Sequence, residues 1–191
     1  MSTREAIRTA AIDLFDHAGV EKTSVAAICK KAGISNGSFF HAFATKDALA
    51  ADLFLSILRD YHDAIGAAIT RALTAEAGIA AIIRGHIQWV TGERRKANFL
   101  FEQVRAEWLL SIADERLSEN ERFRMIIDHW RKPLVDAGHL RALPTAIFIA
   151  QLLGPSQIFC RAWLAGRVQS DPAAHLNDLT SCAISALTSS P

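Results

Sequence analysis

Small polar residues with hydrogen-bonding side chains cluster between Ser35 and His41. Asn36 and Ser38 can donate hydrogen bonds to, and accept them from, base edges or phosphates. Gly37 disfavours a helix relative to alanine, and a backbone that must approach DNA closely would explain why a glycine stands there. The run therefore predicts the exposed face of a short helix that contacts DNA.

A second polar feature follows at Thr45 and Lys46. Thr45 can cap the N-terminus of a helix, and Lys46 places a cation beside that terminus. The helix dipole and the charge together favour an anion, so this position suits a DNA phosphate.

The residue types that catalyse reactions or bind metals lack the spacings that such sites need. The seven histidines form no HxxxH or HExxH pair, and Cys29, Cys160 and Cys182 form no CxxC pair. No glycine-rich phosphate loop and no GxSxG turn is present. We therefore expect no enzyme, no catalytic residue, no metal and no cofactor.

The composition of the chain restricts the class of protein to which it can belong. Of 191 residues, 50% are hydrophobic and 21% are charged, which is typical of a globular protein and not of a disordered one. The net charge of +1 gives almost no support to DNA binding. The distant cysteines suit a reducing compartment, and neither a signal peptide nor a membrane span is predicted, so we expect a cytoplasmic protein.

Helical periodicity runs along the whole chain, with few strand signals. It predicts helices over about 3–18, 24–31, 36–42, 46–73, 76–93, 95–112, 119–137, 144–166 and 172–188. The fold class is therefore all-α, with about nine helices.

The elements around the polar run form a helix-turn-helix at about 23–43. Either Thr23 or Ser24 can cap the first of its two short helices. Gly33 allows the sharp turn between them, and Ser35 can cap the second. Behind the polar face, a small core is expected from four apolar side chains, which are Ile28, Ile34, Phe40 and Phe43.

The stretch from about residue 4 to residue 52 resembles the tetracycline-repressor (TetR) family of bacterial regulators. The matching residues are Ala10, Ala11, Leu14, Phe15, Gly19, Thr23, Ile28, Ala32, Gly33, Ile34, Ser35, Gly37, Phe43, Lys46 and Leu49. Cys29 stands where the family usually has alanine. Phe40 stands where the family usually has a tyrosine whose hydroxyl often reaches a DNA phosphate.

The resemblance implies a DNA-binding domain over residues 1–48 and a helical effector-binding and dimerisation domain over residues 49–191. Carried over residue by residue, it implies DNA contacts at Thr23, Ser24, Ser35, Asn36, Ser38, Phe39, His41 and Lys46. Phe39 is expected to touch a thymine methyl group, and Phe40 is expected to lie in the core only.

The resemblance also implies a homodimer formed by the last two helices. The sequence agrees, because the helix near 144–166 is apolar around most of its circumference and the last helix carries an apolar stripe. The expected interface residues are Leu152, Phe159, Trp163, Leu176, Leu179, Ala183 and Leu187. An intramolecular core is the alternative explanation of the same residues.

A ligand cavity is the third feature that the resemblance implies. Such cavities are mostly apolar with a few aimed polar groups. The candidate lining residues are His62, His86, Trp89, Phe99, Gln103, Arg105, Trp108, Phe123, Trp130 and Gln157. Ordinary core packing is the alternative for each of them taken singly.

Taken together, these expectations describe a transcriptional regulator, by resemblance a repressor. It would bind a palindromic DNA operator as a homodimer, and a small, largely apolar ligand would release it. The alternative is a helical small-molecule-binding protein that does not bind an operator.

Overall fold

The computed structural model describes residues 2–69, 74–104 and 106–189, and this part of the chain forms nine α-helices. The helices are α1 (Thr3–Ala18), α2 (Val25–Ala32), α3 (Asn36–Ala42), α4 (Lys46–Ile69), α5 (Ala75–Gly92), α6 (Arg94–Glu102), α7 (Ala113–Asp136), α8 (Thr145–Leu164) and α9 (Leu176–Leu187). An isolated antiparallel bridge joins Leu140 to Thr188. The prediction of an all-α fold is confirmed.

The helix predicted over 95–112 is broken. Helix α6 ends at Glu102, and a 3₁₀ turn over Glu107–Ile112 follows it. The break coincides with Ala106, whose backbone is extended at φ −66° and ψ 137°. Helix α7 begins at Ala113, six residues before the predicted start, and acidic side chains in its first turn complement the helix dipole. The predicted end of α4, over residues 70–73, lies outside the described residues.

The chain divides into two compact units. The first comprises Met1–Leu58 with Arg95–Arg116, and the second comprises Arg59–Arg94 with Leu117–Pro191. The segment 95–116 thus belongs to the same unit as the N-terminal helices, which periodicity alone does not reveal. The functional division at residue 48 stays a prediction.

The first unit is built on α1. Its apolar stripe is buried against α2 and α3, as the spacing predicts, through Ile7, Ala10, Ala11 and Phe15. Helix α6 lies along α1, because Arg95 forms an ion pair of 2.6 Å with Asp13 and the ring of Phe99 stacks 5.8 Å from that of Phe15.

The second unit has its core where α5, α8 and α9 pack together. Helix α5 is buried along most of its length, and its fully buried aliphatic side chains are Ile79, Ile82, Ile83, Ile87 and Val90. Phe148 of α8 is also fully buried. Among the described helices, none is both long enough and apolar enough to cross a membrane.

Gly78 of α5 lies directly against the indole of Trp130 on α7. A Cβ atom at this position would lie 2.1 Å from Cζ2 of Trp130 on α7, which is far inside contact distance. A Cβ atom at Gly66 of α4 would lie 3.6 Å from the methyl groups of Ile126, an ordinary contact. An added methyl group would therefore clash at Gly78 but fit at Gly66.

We predict that Gly78→Ala destabilises the protein by about 1–3 kcal/mol, because the indole must move out of a packed site. Gly66→Ala should instead be neutral or stabilise by up to about 1 kcal/mol, because alanine favours helix and has room. Urea denaturation followed by circular dichroism measures both. Equal effects of the two substitutions would contradict the packing of Trp130 on Gly78.

Candidate nucleic-acid interface

Two short helices and a tight turn carry the residues that were expected to contact DNA. Ser24, and not Thr23, caps α2, since its Oγ accepts a hydrogen bond of 3.1 Å from the Ala27 N–H. Gly33 ends α2 in the left-handed conformation, with φ 67° and ψ 35°. Ser35 caps α3 by accepting a hydrogen bond of 3.1 Å from the Ser38 N–H. The turn chemistry that the sequence predicts is confirmed.

The first turn of α3 presents a small polar surface. Ser35, Asn36 and Gly37 are exposed, Ser38 is partly exposed, and His41 follows on the exposed side. A Cβ atom at Gly37 would meet only the Oγ of Ser35, at 3.7 Å. Packing within the chain therefore does not require glycine at this position.

The two adjacent phenylalanines of α3 have exchanged their expected places. Phe39 is fully buried at 0% exposure, whereas Phe40 is 55% exposed. Phe39 and Phe43 lie four residues apart on the inner face, with ring centroids separated by 6.2 Å. The prediction of a DNA contact at Phe39 and of a core position for Phe40 is therefore wrong. Phe40 is the exposed aromatic side chain of this helix.

The side chains of Thr23 and Lys46 form hydrogen bonds to backbone carbonyls of the first unit. Thr23 is buried, and its hydroxyl donates a hydrogen bond of 2.8 Å to the Gly19 carbonyl, so a DNA contact through this side chain is contradicted. The Lys46 ammonium donates to the carbonyls of Val20 and Glu21 at 2.6 and 3.1 Å. One of its three N–H groups is left for a phosphate, so the predicted contact at Lys46 stays a prediction.

Arg4 and Arg8 of α1 form an arginine clamp on Asp52 of α4, and Arg4 also holds the end of α3. Arg4 donates to the Ala42 carbonyl at the end of α3, and both Arg4 and Arg8 donate to the carboxylate of Asp52 on α4. Burial acts to raise the pKa of Asp52, but the hydrogen bonds from Arg8 and Arg4 outweigh it and hold the pKa below its ordinary value. The clamp is therefore charged throughout the physiological range.

The N-terminal turn of α1 lies beside α3, which sequence reasoning missed. Ser2, Thr3 and Arg4 line a cleft of about 590 Å³ together with Gly37, Ser38, His41 and Ala42. The capping box formed by Ser2 and Glu5 could have located the start of α1. Its position next to α3 depends on tertiary packing, which no local signal encodes.

The residues proposed to line a ligand cavity fall into both units. In the first unit, Phe99 stacks between Phe15 and Trp108, with centroids 5.8 and 6.1 Å away. Gln103 follows α6 in the same unit. Arg105 lies outside the described residues. A role for these residues in ligand binding stays a prediction.

In the second unit, His86 and Trp89 belong to a buried polar-aromatic cluster with Tyr61. The Tyr61 hydroxyl lies 2.8 Å from Nδ1 of His86, and its ring centroid lies 4.8 Å from that of Trp89. Burial lowers the pKa of His86 to about 4, although a backbone hydrogen bond at Ser156 acts in the opposite direction. His86 is therefore neutral at physiological pH.

His62 and Phe123 belong to a second buried cluster that ties α4 to α7. Nδ1 of His62 lies 2.8 Å from Glu119 Oε1, and the imidazole stacks on Phe123 at 4.3 Å. Burial lowers the pKa of His62, against the opposing effect of Glu119. Burial acts to raise the pKa of Glu119, but hydrogen bonds from Arg122 and His62 hold it low. The pair is therefore a neutral imidazole beside a carboxylate.

Of the remaining ligand candidates, Gln157 is half-buried on α8, and Trp130 lines an open cleft between α4 and α7. His62, His86, Trp89 and Phe123 are buried with protein partners, so their contact with a ligand stays a prediction.

The residues expected at the dimer interface divide in two. Leu152, Ala183 and Leu187 are buried within their own chain, at 1%, 2% and 0% exposure. Their assignment to the interface is therefore wrong, because these side chains fill the core between α5, α8 and α9. Four residues keep partial exposure, which are Phe159, Trp163, Leu176 and Leu179. Sequence reasoning left Ile158 out of the set, although it is 72% exposed on α8.

An N-terminal helix-turn-helix in an all-α chain, followed by a larger helical unit, defines a class of bacterial regulators. Residues 7–53 match the model of the bacterial regulatory proteins of the tetR family. This match assigns the segment over residues 7–53 to that family.

Known relatives and structures agree with this assignment. The regulator BetI of Vibrio parahaemolyticus is 32% identical over 130 residues, which cover 65% of this chain and 63% of BetI, so the match spans less than two thirds of that relative. A TetR family regulator from Marinobacter aquaeolei VT8 has a TM-score of 0.81 at 17% identity, covering 98% of this chain and 96% of its own. FadR from Bacillus subtilis, solved with stearoyl-CoA, has a TM-score of 0.80 at 19% identity, covering 95% and 97%. At these identities the solved structures show the shared fold.

We predict that Phe39→Ala destabilises the protein far more than Phe40→Ala does. Phe39→Ala should cost about 3–5 kcal/mol of unfolding free energy, because it empties a fully buried site. Phe40→Ala should change stability by less than about 1 kcal/mol, because its ring is largely exposed. Thermal and urea denaturation measure the difference. A larger loss for Phe40→Ala than for Phe39→Ala would overturn the assignment of the two faces.

Proposed function

We propose that this protein is a cytoplasmic transcriptional repressor that binds a palindromic operator as a homodimer and is released by a small ligand. The exposed, small-residue face of α3, held in place by caps and by an arginine clamp, is the observation that carries the proposal. No catalytic role is proposed for any residue.

The DNA contacts that we propose come from the exposed face alone. Asn36 and Ser38 can hydrogen-bond to base edges, and His41 and Ser24 can donate to phosphates. Phe40 replaces Phe39 as the residue that touches a thymine methyl group or a sugar. Gly37 supports the proposal, since the chain has room for a side chain there and yet carries none.

A second copy of the chain is the proposed partner of α8. The fully exposed residues of this helix are uncharged, and they are Ala146, Ile147, Ala150, Gln151, Pro155 and Ile158. The partly exposed Arg161 follows them in the last turn. Exposed aliphatic side chains next to small ones favour close packing against another helix. A two-fold dimer would present two copies of α3 about 34–36 Å apart, one turn of DNA.

Ligand release is the least direct part of the proposal. It is supported by the family match over residues 7–53 and by the structural neighbour FadR, which was solved with stearoyl-CoA. If a ligand weakens operator binding, the operator must weaken ligand binding by the same factor.

The DNA proposal is tested by fluorescence anisotropy with the DNA upstream of the protein's own gene. Asn36→Ala should change the preferred sequence, because it removes a base contact. Gly37→Ala should lower operator affinity by about tenfold or more, because the added methyl group projects from the reading face. The same substitution should leave stability unchanged or raise it by up to about 1 kcal/mol.

Gly92→Ala is the control, since a Cβ atom there meets nothing within 4 Å and the residue lies at the end of α5 in the second unit. It should leave operator affinity unchanged. Absence of salt-sensitive binding to any palindrome upstream would favour a ligand-binding protein without an operator.

The dimer proposal is tested by sedimentation velocity at micromolar concentration. Ile158→Glu should convert the dimer to a monomer, because a carboxylate would be buried without a partner at the interface. Leu117→Glu, at a residue 68% exposed on α7, is the matched control and should remain dimeric. A monomeric wild-type protein, or a dimer unaffected by Ile158→Glu, would refute the α8 interface.

A further inference from the structure

An open cleft of about 750 Å³ lies between α4 and α7 in the second unit. Its apolar walls are formed by Ile69 of α4 and by Met125, Ile126 and Trp130 of α7. These α7 residues follow one another at helical spacing and therefore share one face of the helix. The volume lies within the range of about 300–1,000 Å³ that small-molecule sites occupy.

The polar groups that line the cleft are all hydrogen-bond donors. They are the guanidinium of Arg122 and the imidazole of His129, and none of the described lining residues is acidic. An imidazole can also accept, but a guanidinium cannot. The cleft therefore matches an apolar molecule that ends in an acceptor, and it offers no carboxylate to a cation.

Arg122 is held in place by the protein itself. Its Nε donates to Glu119 Oε2 at 2.9 Å, and its Nη2 donates to Glu119 Oε1 at 2.7 Å and to Asp63 Oδ1 at 2.8 Å. These hydrogen bonds raise the pKa of Arg122, so it stays charged. Within the described part of the chain, its hydrogen bonds do not use Nη1, which leaves two N–H groups in a fixed orientation.

The carboxylates beside Arg122 do not turn the cleft acidic. Glu119 is only 6% exposed, and its oxygens are bound by His62 and by Arg122. The guanidinium of Arg59 lies 4.0 Å from the same carboxylate, so that Arg59 and Arg122 together balance the charges of Glu119 and Asp63. Preorganised N–H groups of a charged guanidinium form stronger hydrogen bonds with anions than with neutral acceptors.

We propose that this cleft binds an amphipathic organic carboxylate, with the anionic head at Arg122 and the apolar body along α7, past Met125 and Ile126 towards His129 and Trp130. Met125 is 64% exposed at the edge of the cleft, and its flexible thioether can adapt to the bound body. The identification of this ligand as the effector rests on the proposed repressor function, whereas its binding does not.

The test is isothermal titration calorimetry of the full chain, without DNA, using three probes with the same twelve-carbon tail below their micelle concentrations. Dodecanoate should bind with one site per chain. Dodecanol should bind about tenfold more weakly or worse, and dodecyltrimethylammonium should not bind measurably. Equal binding of the three probes, or no binding of dodecanoate, would overturn the proposal.

Charge variants at the cleft edge sharpen the test, because Met125 is exposed and tolerates substitution. Met125→Glu should weaken dodecanoate binding by about tenfold, and Met125→Lys should maintain or strengthen it. Leu117→Glu, an exposed position on α7 outside the cleft lining, should leave binding unchanged. If Met125→Glu has no effect, or if Leu117→Glu weakens binding as much, the carboxylate does not lie in this cleft.

A variant that fills the cleft tests the location of the binding site independently. Gly66→Leu places a side chain on the α4 wall and should abolish dodecanoate binding, with circular dichroism reporting that the fold is retained. Should it fail to fold, His129→Ala replaces it, with an expected loss of about threefold to tenfold. Unchanged binding in the folded variant contradicts the proposed site.

Operator binding measured in parallel separates the two proposals. Failure of the protein to bind DNA, with the probe pattern intact, removes the repressor function and keeps the cleft. Normal operator binding, with the probe pattern absent, keeps the repressor function and refutes the proposed binding in the cleft.

Discussion

The burial of Phe39 is the constraint on which the DNA-facing surface depends. Helix α3 has only seven residues, so it is too short to be stable by itself. Phe39 anchors it from the inside, and Arg4 fixes its end by donating to the Ala42 carbonyl and by lying 4.2 Å over the ring of Phe43. The exposed residues of α3 therefore hold a defined orientation without forming tertiary contacts of their own.

Local signals predicted this part of the chain well. The caps at Ser24 and Ser35 and the left-handed Gly33 involve residues close in sequence, so their chemistry can be read from the sequence. The choice between Phe39 and Phe40 could not be read in the same way. Two adjacent aromatic residues in a helix of less than two turns give no clear period, and only the packing against α1 and α2 decides which ring is inside.

Contacts between residues that are distant in the sequence could not be predicted from local sequence signals. Asp13 and Arg95 are 82 residues apart, and their ion pair assigns α6 to the unit of the N-terminal helices. The apolar circumference of α8 and the apolar stripe of α9 indicated that both helices pack against other helices. It could not tell that Leu152, Ala183 and Leu187 face inward while Ile158 faces outward, because apolar residues around a helix do not label its partners.

The use of the cations in the first fifty residues bears on how the surface would bind DNA. Arg4 and Arg8 are engaged with Asp52, Lys31 with Asp13, and Lys46 with two carbonyls. Lys22 and Lys30 are exposed, and the hydrogen bonds and ion pairs of the described residues do not involve their side-chain ammonium groups.

A surface with so few uncommitted cations releases few counterions when it binds, so the electrostatic part of its affinity is small. Short-range contacts of the α3 face must then supply more of the binding free energy than in a strongly basic protein. Each copy of α3 offers only a few such side chains. Joining two copies in one dimer makes the second contact intramolecular, which raises the affinity without any additional charge. The few uncommitted cations beside α3 and the exposed apolar residues of α8 therefore both support the proposed two-fold assembly.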